Sequence, residues 1–184
     1  CKDLDRPQQD LWFLFRCAFH ATLGNVILIH ESRFSLQRFA RLFFMDLDRP
    51  IFIVGIGRCG STIFHRILCE HPRVSWLTSC ADWNPAKPVR NRWVMEMADW
   101  PLLGSLMRRV YPSECYRFWE HHCPGFRRPF RDLTQGDLTE RSRIRVRDAL
   151  GSIPSKKRPR LSMKITGWPR LGLLTSIFPE AKFI

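Results

Sequence analysis

Acidic residues are scarce in this chain. Its 184 residues include 17 Asp and Glu against 30 Lys and Arg, a formal net charge of +13. Such a balance attracts anions of any kind: nucleotide, nucleic acid, acidic glycan or membrane surface. None of the usual nucleic-acid-binding modules is visible, so nucleic acid is not the expected partner. No Cys-x-x-Cys pair occurs. The seven cysteines are odd in number and scattered, which favours free thiols in a reducing, cytoplasmic compartment over a disulfide framework. Cys115, His121, His122 and Cys123 do not follow a common zinc spacing, and adjacent histidines point different ways, so no metal is expected. Long apolar runs are missing too. Cys17 to His30, the longest stretch free of Lys, Arg, Asp and Glu, is too short to span a bilayer. No signal-peptide layout and no internal repeat is evident.

What is present argues for a folded globule. Hydrophobic residues make up 45%, with 14 Phe and 7 Trp, enough for one domain with a real core. The chain opens on Cys1 and ends on an apolar strand-like run, and reads as a fragment. Residues 1–48 form a helical lead-in. Within it Leu11 to His30 suits amphipathic helices and Ser35 to Phe44 a basic one, which leaves membrane-surface contact open. Asp46 to Pro50 is the boundary, and residues 49–184 form the main domain. There a strand, a loop and a helix are expected from Pro50, with a second strand over Val74–Leu77. Residues 79–135, rich in Pro, Trp and Arg, suit short helices and loops over a pocket, with a helix from Met95 to Arg109 interrupted at Pro101. A helix over 139–153, a strand over Leu161–Ile165, a helix over 169–178 opened by Pro169, and a strand from Lys182 follow. This alternation predicts an α/β fold, a parallel sheet flanked by helices. The basic residues Arg127, Arg128, Arg131, Arg141, Arg143, Arg145, Arg147, Lys156, Lys157, Arg158 and Arg160 read as a solvated surface. Val146, Leu150 and Ile153 form the inward stripe of their helix.

The chemistry concentrates in Pro50 to Thr62. A charge-free strand runs into Gly55-Ile56-Gly57-Arg58-Cys59-Gly60 and then into a helix opened by Ser61-Thr62. A glycine-rich turn leading into a helix N-terminus presents free N–H groups and a positive dipole end, an anion site that most often takes phosphate. Three readings compete. A nucleoside-triphosphatase loop needs a lysine where Ser61 stands. A dinucleotide fingerprint matches Gly55, Gly57 and Gly60, with Asp82 about 20 residues on, but the segment before Asp82 makes a poor strand end. The third is strand, then [KR]-x-G-[ST]-[ST], then helix.

That third pattern resembles the 5′-phosphosulfate loop of sulfotransferases that use 3′-phosphoadenosine 5′-phosphosulfate (PAPS). The resemblance continues through Glu70-His71-Pro72, through Pro112 to Leu133 with its Pro-Gly-Phe-Arg-Arg-Pro-Phe-Arg-Asp-Leu run, and through Pro159 to Arg170. Phe178 to Ile184 looks like the family's helix and strand leading to the 3′-phosphate site. It covers roughly residues 50–184. It implies a P-loop-like sulfotransferase fold, incomplete here because the family's 3′-phosphate turn and serine would lie beyond Ile184. It also implies a fragment inactive by itself, and PAPS as co-substrate without a metal. The loop departs from the family's usual Arg/Lys-Ser-Gly-Thr-Thr at Cys59 and Ser61.

Sulfonate transfer asks the protein to position groups and to stabilise charge on the leaving phosphate. The resemblance assigns Gly57, Arg58, Cys59, Gly60, Ser61 and Thr62 to the cofactor, with Arg58 over the bridging oxygen. It assigns Lys164, at a strand end, to the sulfonate. Thr166 stands where cytosolic members carry a histidine base, and Ser79 roughly where other branches carry a glutamate. Asp82, Glu114, His121 and His122 remain as bases, with Glu114 favoured because it follows Tyr111-Pro112 in the pocket-like segment. The resemblance implies a hydroxyl or amine acceptor on a small molecule, glycan or lipid, and the residues do not say which. A non-catalytic anion-binding module and a dinucleotide oxidoreductase are the alternatives.

Overall fold

The structure is a computed structural model and describes residues 47–98, 100–101, 112–127 and 131–184. The expected lead-in over 1–48 therefore lies outside the described residues except for Leu47 and Asp48. The elements run β1 (Ile51–Gly55), α1 (Ser61–Cys69), β2 (Val74–Trp76), α2 (Ser79–Trp83), α3 (Val89–Met97), α4 (Tyr116–His122), a 3₁₀ turn (Gln135–Asp137), α5 (Glu140–Gly151), β3 (Arg160–Thr166), α6 (Leu171–Ile177) and β4 (Lys182–Phe183). The four strands form one sheet in the order β2-β3-β1-β4, and every pairing is parallel. This is the α/β sheet flanked by helices that the alternation predicts.

The register assigns the two faces of the sheet. Phe52 pairs with Met163, Val54 with Ile165, and Ile53 with Lys164. Side chains alternate across a strand, so Phe52, Val54, Leu161, Met163 and Ile165 share one face. They join the main core with Phe118 and Trp119 of α4, Val146 and Leu150 of α5, and Leu173, Leu174 and Ile177 of α6. Aromatic rings fill the centre. Phe52 lies 5.7 Å from Phe178 and 6.4 Å from Trp119, which stacks on Phe126 at 4.6 Å. Such pairs contribute about 0.5–1.5 kcal/mol beyond the area they bury. The opposite face of β3 carries Ser162, Lys164 and Thr166, and α1 packs on that side, as the Lys164–Thr62 hydrogen bond shows.

Two element boundaries differ from expectation. The helix sought over Met95–Arg109 begins earlier, at Val89, so that Met95 to Met97 form its last turn; residues 102–110 lie outside the described residues. The last helix opens at Leu171, not Pro169. Arg170 takes a left-handed conformation, φ 54°, and is pinned there by tertiary bonds. Its N–H donates to Asp132 and its guanidinium to the Phe126 carbonyl. The stripe Val146, Leu150 and Ile153 is buried, but the arginines of α5 are not all outward. Arg141 and Arg143 are exposed, whereas Arg145 and Arg147 are half-buried and donate to the carbonyls of His121 and Ile177. Among the described residues no helix is long and apolar enough to cross a membrane.

Candidate active site

The site lies beyond the carboxyl ends of β1 and β3, neighbours in the sheet whose following helices lie on opposite faces. Parallel sheets place ligands at such a switch point. After β1 the chain turns through Ile56 to Gly60, all exposed. Two residues of the turn are left-handed: Arg58, φ 69°, and Gly60, φ 80°. A non-glycine residue held there stores strain, and Arg58 is held in an exposed loop. Gly60 is the N-cap of α1, with no side-chain cap and no acid in the first turn. Its carbonyl accepts from the N–H groups of Ile63 and Phe64. The first N–H groups of the helix have no intrahelical acceptor, so this end can serve an anion.

Cys59 and Ser61 interact within the loop. Hydrogen bonds from the Ser61 side chain and backbone hold the Cys59 thiol below its ordinary range. The base of the turn is tied across the sheet, Gly167 N–H donating to the Gly55 carbonyl at 3.0 Å.

Lys164 and Glu114 meet here. The Lys164 ammonium is buried, donates to Thr62 Oγ1 at 2.8 Å, and forms an ion pair with Glu114 Oε1 at 2.7 Å. The other Glu114 oxygen accepts from Thr166 Oγ1 at 2.7 Å. Burial pushes the Glu114 carboxyl up, but the bonds from Lys164 and Thr166 and the Lys164 charge outweigh it and hold the group below its usual range. Tyr116, not singled out from sequence, closes the cluster by donating to the Thr166 carbonyl at 2.7 Å. Its signal was the i, i+2 spacing from Glu114, which means little without knowing that Cys115 between them is left-handed, φ 52°.

Thus Thr62, Glu114, Lys164 and Thr166 come together from three distant stretches of chain, with Gly57 to Ser61 leading into them. The other base candidates have other duties. Asp82 lies in α2, not at a strand end, and accepts from the Arg117 N–H at the start of α4. Nε2 of His122 bonds the Pro85 carbonyl at 2.8 Å, and the His121 ring lies edge-on to it. Ser79 opens α2. Among the described residues no group of His, Cys, Asp and Glu is placed to hold a metal ion.

No curated protein and no solved structure matches the chain. A family model described as the sulfotransferase family matches residues 50–184, the whole of the described sheet and every residue of this cluster. The chain belongs to the sulfotransferase family.

Proposed function

We propose that this protein is a PAPS-dependent sulfotransferase that delivers the sulfonate to a hydroxyl or amine of a small-molecule, glycan or lipid acceptor. One observation carries the reading: buried Lys164 is bonded at once to Thr62 of the loop and to Glu114 of the pocket segment. A cation and a carboxylate thereby flank the point where an anion at the helix N-terminus would meet an acceptor. The loop suits a bulky phosphosulfate, since a Cβ built on Gly57 or Gly60 meets nothing within 4 Å.

When bound, the donor supplies the sulfonate and a phosphate leaving group. The backbone N–H groups of Gly60, Ser61 and Thr62 hold its 5′-phosphate, with Gly57 and Cys59 shaping the turn. Arg58 neutralises charge on the leaving oxygen, and its fork can serve two oxygens. Lys164 orients the sulfonate. Glu114 takes the acceptor's proton. Paired with Lys164 it is a weak base, and it strengthens as Lys164 turns its charge toward the donor.

Calorimetric titration with PAP, the desulfated product, followed by sulfonate-transfer assays on an acceptor panel, tests this. PAP binding with turnover is expected of the full-length protein. PAP binding without turnover on any acceptor would favour an anion-binding module, and NAD(P) binding in place of PAP would overturn the reading.

A further inference from the structure

Thr166, the last residue of β3, is bonded twice by the segment that carries Glu114. Its hydroxyl donates to Glu114 Oε2 at 2.7 Å, and its backbone carbonyl accepts from the Tyr116 hydroxyl at 2.7 Å. The rest of that segment is tied to the end of β2. The Ser113 N–H donates to the Leu77 carbonyl at 2.8 Å, the Cys115 thiol donates to the Thr78 carbonyl at 3.1 Å, and Pro112 forms an antiparallel bridge with Thr78. Both chain neighbours of Glu114 are thereby held. The two oxygens of its carboxylate are held differently. Oε1 meets the Lys164 ammonium at 2.7 Å, a group that the proposed reaction turns toward the donor. Oε2 meets the hydroxyl of a residue whose backbone is fixed. Thr166 pairs with Gly55 in the sheet, and the next N–H, of Gly167, donates to the Gly55 carbonyl at 3.0 Å.

We propose that Thr166 is a positioning residue for the base: its hydroxyl keeps Oε2 in place and leaves Oε1 as the oxygen that takes the acceptor's proton. When Lys164 turns to the sulfonate, Oε1 loses its partner and Oε2 does not. The carboxylate keeps its aim while its free oxygen gains basicity. The acceptor oxygen or nitrogen then bonds to sulfur and its proton passes to Oε1. The bond from sulfur to the bridging oxygen breaks, and its electron pair leaves on the phosphate. Tyr116 ties the end of β3 to the segment of Glu114, so that the base and its holder keep one spacing. This rests on the sulfotransferase reading of the loop and Lys164.

Two variants separate the bond from the shape. Thr166→Val keeps the branched shape and loses the donor. Thr166→Ser keeps the hydroxyl. Carboxyl ¹³C NMR, with the Glu114 signal assigned by its loss in Glu114→Gln, reads the titration of the base directly. A hydrogen bond to the charged form holds a carboxyl pKa down. The Glu114 midpoint should therefore rise by about one pH unit in T166V, the scale of one such bond, and stay near wild type in T166S. Lys164 on β3, Tyr116 on α4 and His65 on α1 also act on Glu114, and both variants leave them unchanged. In the full-length protein the acid limb of kcat should move up with the midpoint. Its plateau should fall roughly ten- to hundredfold in T166V, the scale of a small misplacement, with PAP affinity near wild type and T166S restoring kcat. Should T166V not fold, Thr166→Ala takes its place. A wild-type Glu114 midpoint or a wild-type kcat in folded T166V or T166A would overturn the proposal, as would an equal loss in T166S. Failure of the wild-type full-length protein to bind PAP would instead sink the sulfotransferase reading. The carboxyl titration, which needs no donor, would still decide whether Thr166 holds Glu114.

Discussion

Lys164 is a buried cation answered by one carboxylate and one hydroxyl, and the cost of removing either partner differs. Taking away Glu114 leaves a desolvated ammonium, and breaking a buried pair from one side typically costs about 3–5 kcal/mol. Because Glu114 keeps some solvent access, Glu114→Gln should fall at or below the lower end, read as a shift of the urea midpoint, with turnover lost as well. Thr62→Val removes a neutral acceptor and should cost about 1 kcal/mol. Arg58 is the opposite case. It is exposed and left-handed, so Arg58→Ala should leave stability nearly unchanged. Turnover should drop roughly 10²–10³-fold, as for loss of a preorganised charge-stabilising donor, with PAP affinity falling less because the loop amides remain. Wild-type turnover in that variant would remove Arg58 from the chemistry.

At the scale of elements, the loop between β1 and α1 tolerates side chains unequally. A Cβ on Gly60 meets nothing, so the cost of Gly60→Ala is backbone strain at φ 80°, about 1–2 kcal/mol. A Cβ on Gly55 falls 3.0 Å from Cys59 Sγ, so Gly55→Ala displaces the loop cysteine. Thermal midpoints should therefore fall with Gly60→Ala, while Cys59 alkylation rates change with Gly55→Ala. The strand, loop and helix over Ile51–Cys69 were legible because glycine spacing and a charge-free run are local signals. The site's second half was legible only in part. Lys164 at a strand end followed from β3, whose alternation of Arg160, Ser162, Lys164 and Thr166 with Leu161, Met163 and Ile165 marks one polar and one apolar face. Its pairing with Glu114 spans 50 positions of sequence and depends on the left-handed turn at Cys115, which no pattern announces. The onset of α6 was misplaced for the same reason: Arg170 obeys Asp132 and Phe126, residues far away in sequence.

For the whole molecule, the excess of base over acid is partly absorbed by carbonyls. Arg158 is buried, donates to the His71 and Val74 carbonyls and lies over the Trp76 ring. Arg145, Arg147 and Arg170 likewise donate to backbone oxygens. These arginines cross-link segments, so part of the basic run read as solvated surface belongs to the frame. Burial also limits the pH range of the fold from both sides. His65 titrates near 6.5 when unfolded and at about 4 when folded. Its contribution is therefore full above 6.5 and is lost as pH falls toward 4, about 3 kcal/mol in all. His122 is lowered too, by burial against the pull of the Pro85 carbonyl, and adds in the same direction. Below 4.5 the depressed Glu114 carboxyl joins them. On the alkaline side burial pushes the thiols of Cys69 and Cys115 from 9.0 up to about 12. An unfolded thiol ionises above 9 while these stay neutral, so stability is full below 9 and lost as pH rises to 12, about 4 kcal/mol for each. Urea unfolding at a series of pH values should show a plateau between about 6.5 and 9 with a decline on each side. His65→Asn should flatten the limb between 6.5 and 4, and Cys69→Ala the limb above 9. A single maximum with no plateau, or an acid limb unchanged in the His65 variant, would show that these buried groups do not set the range.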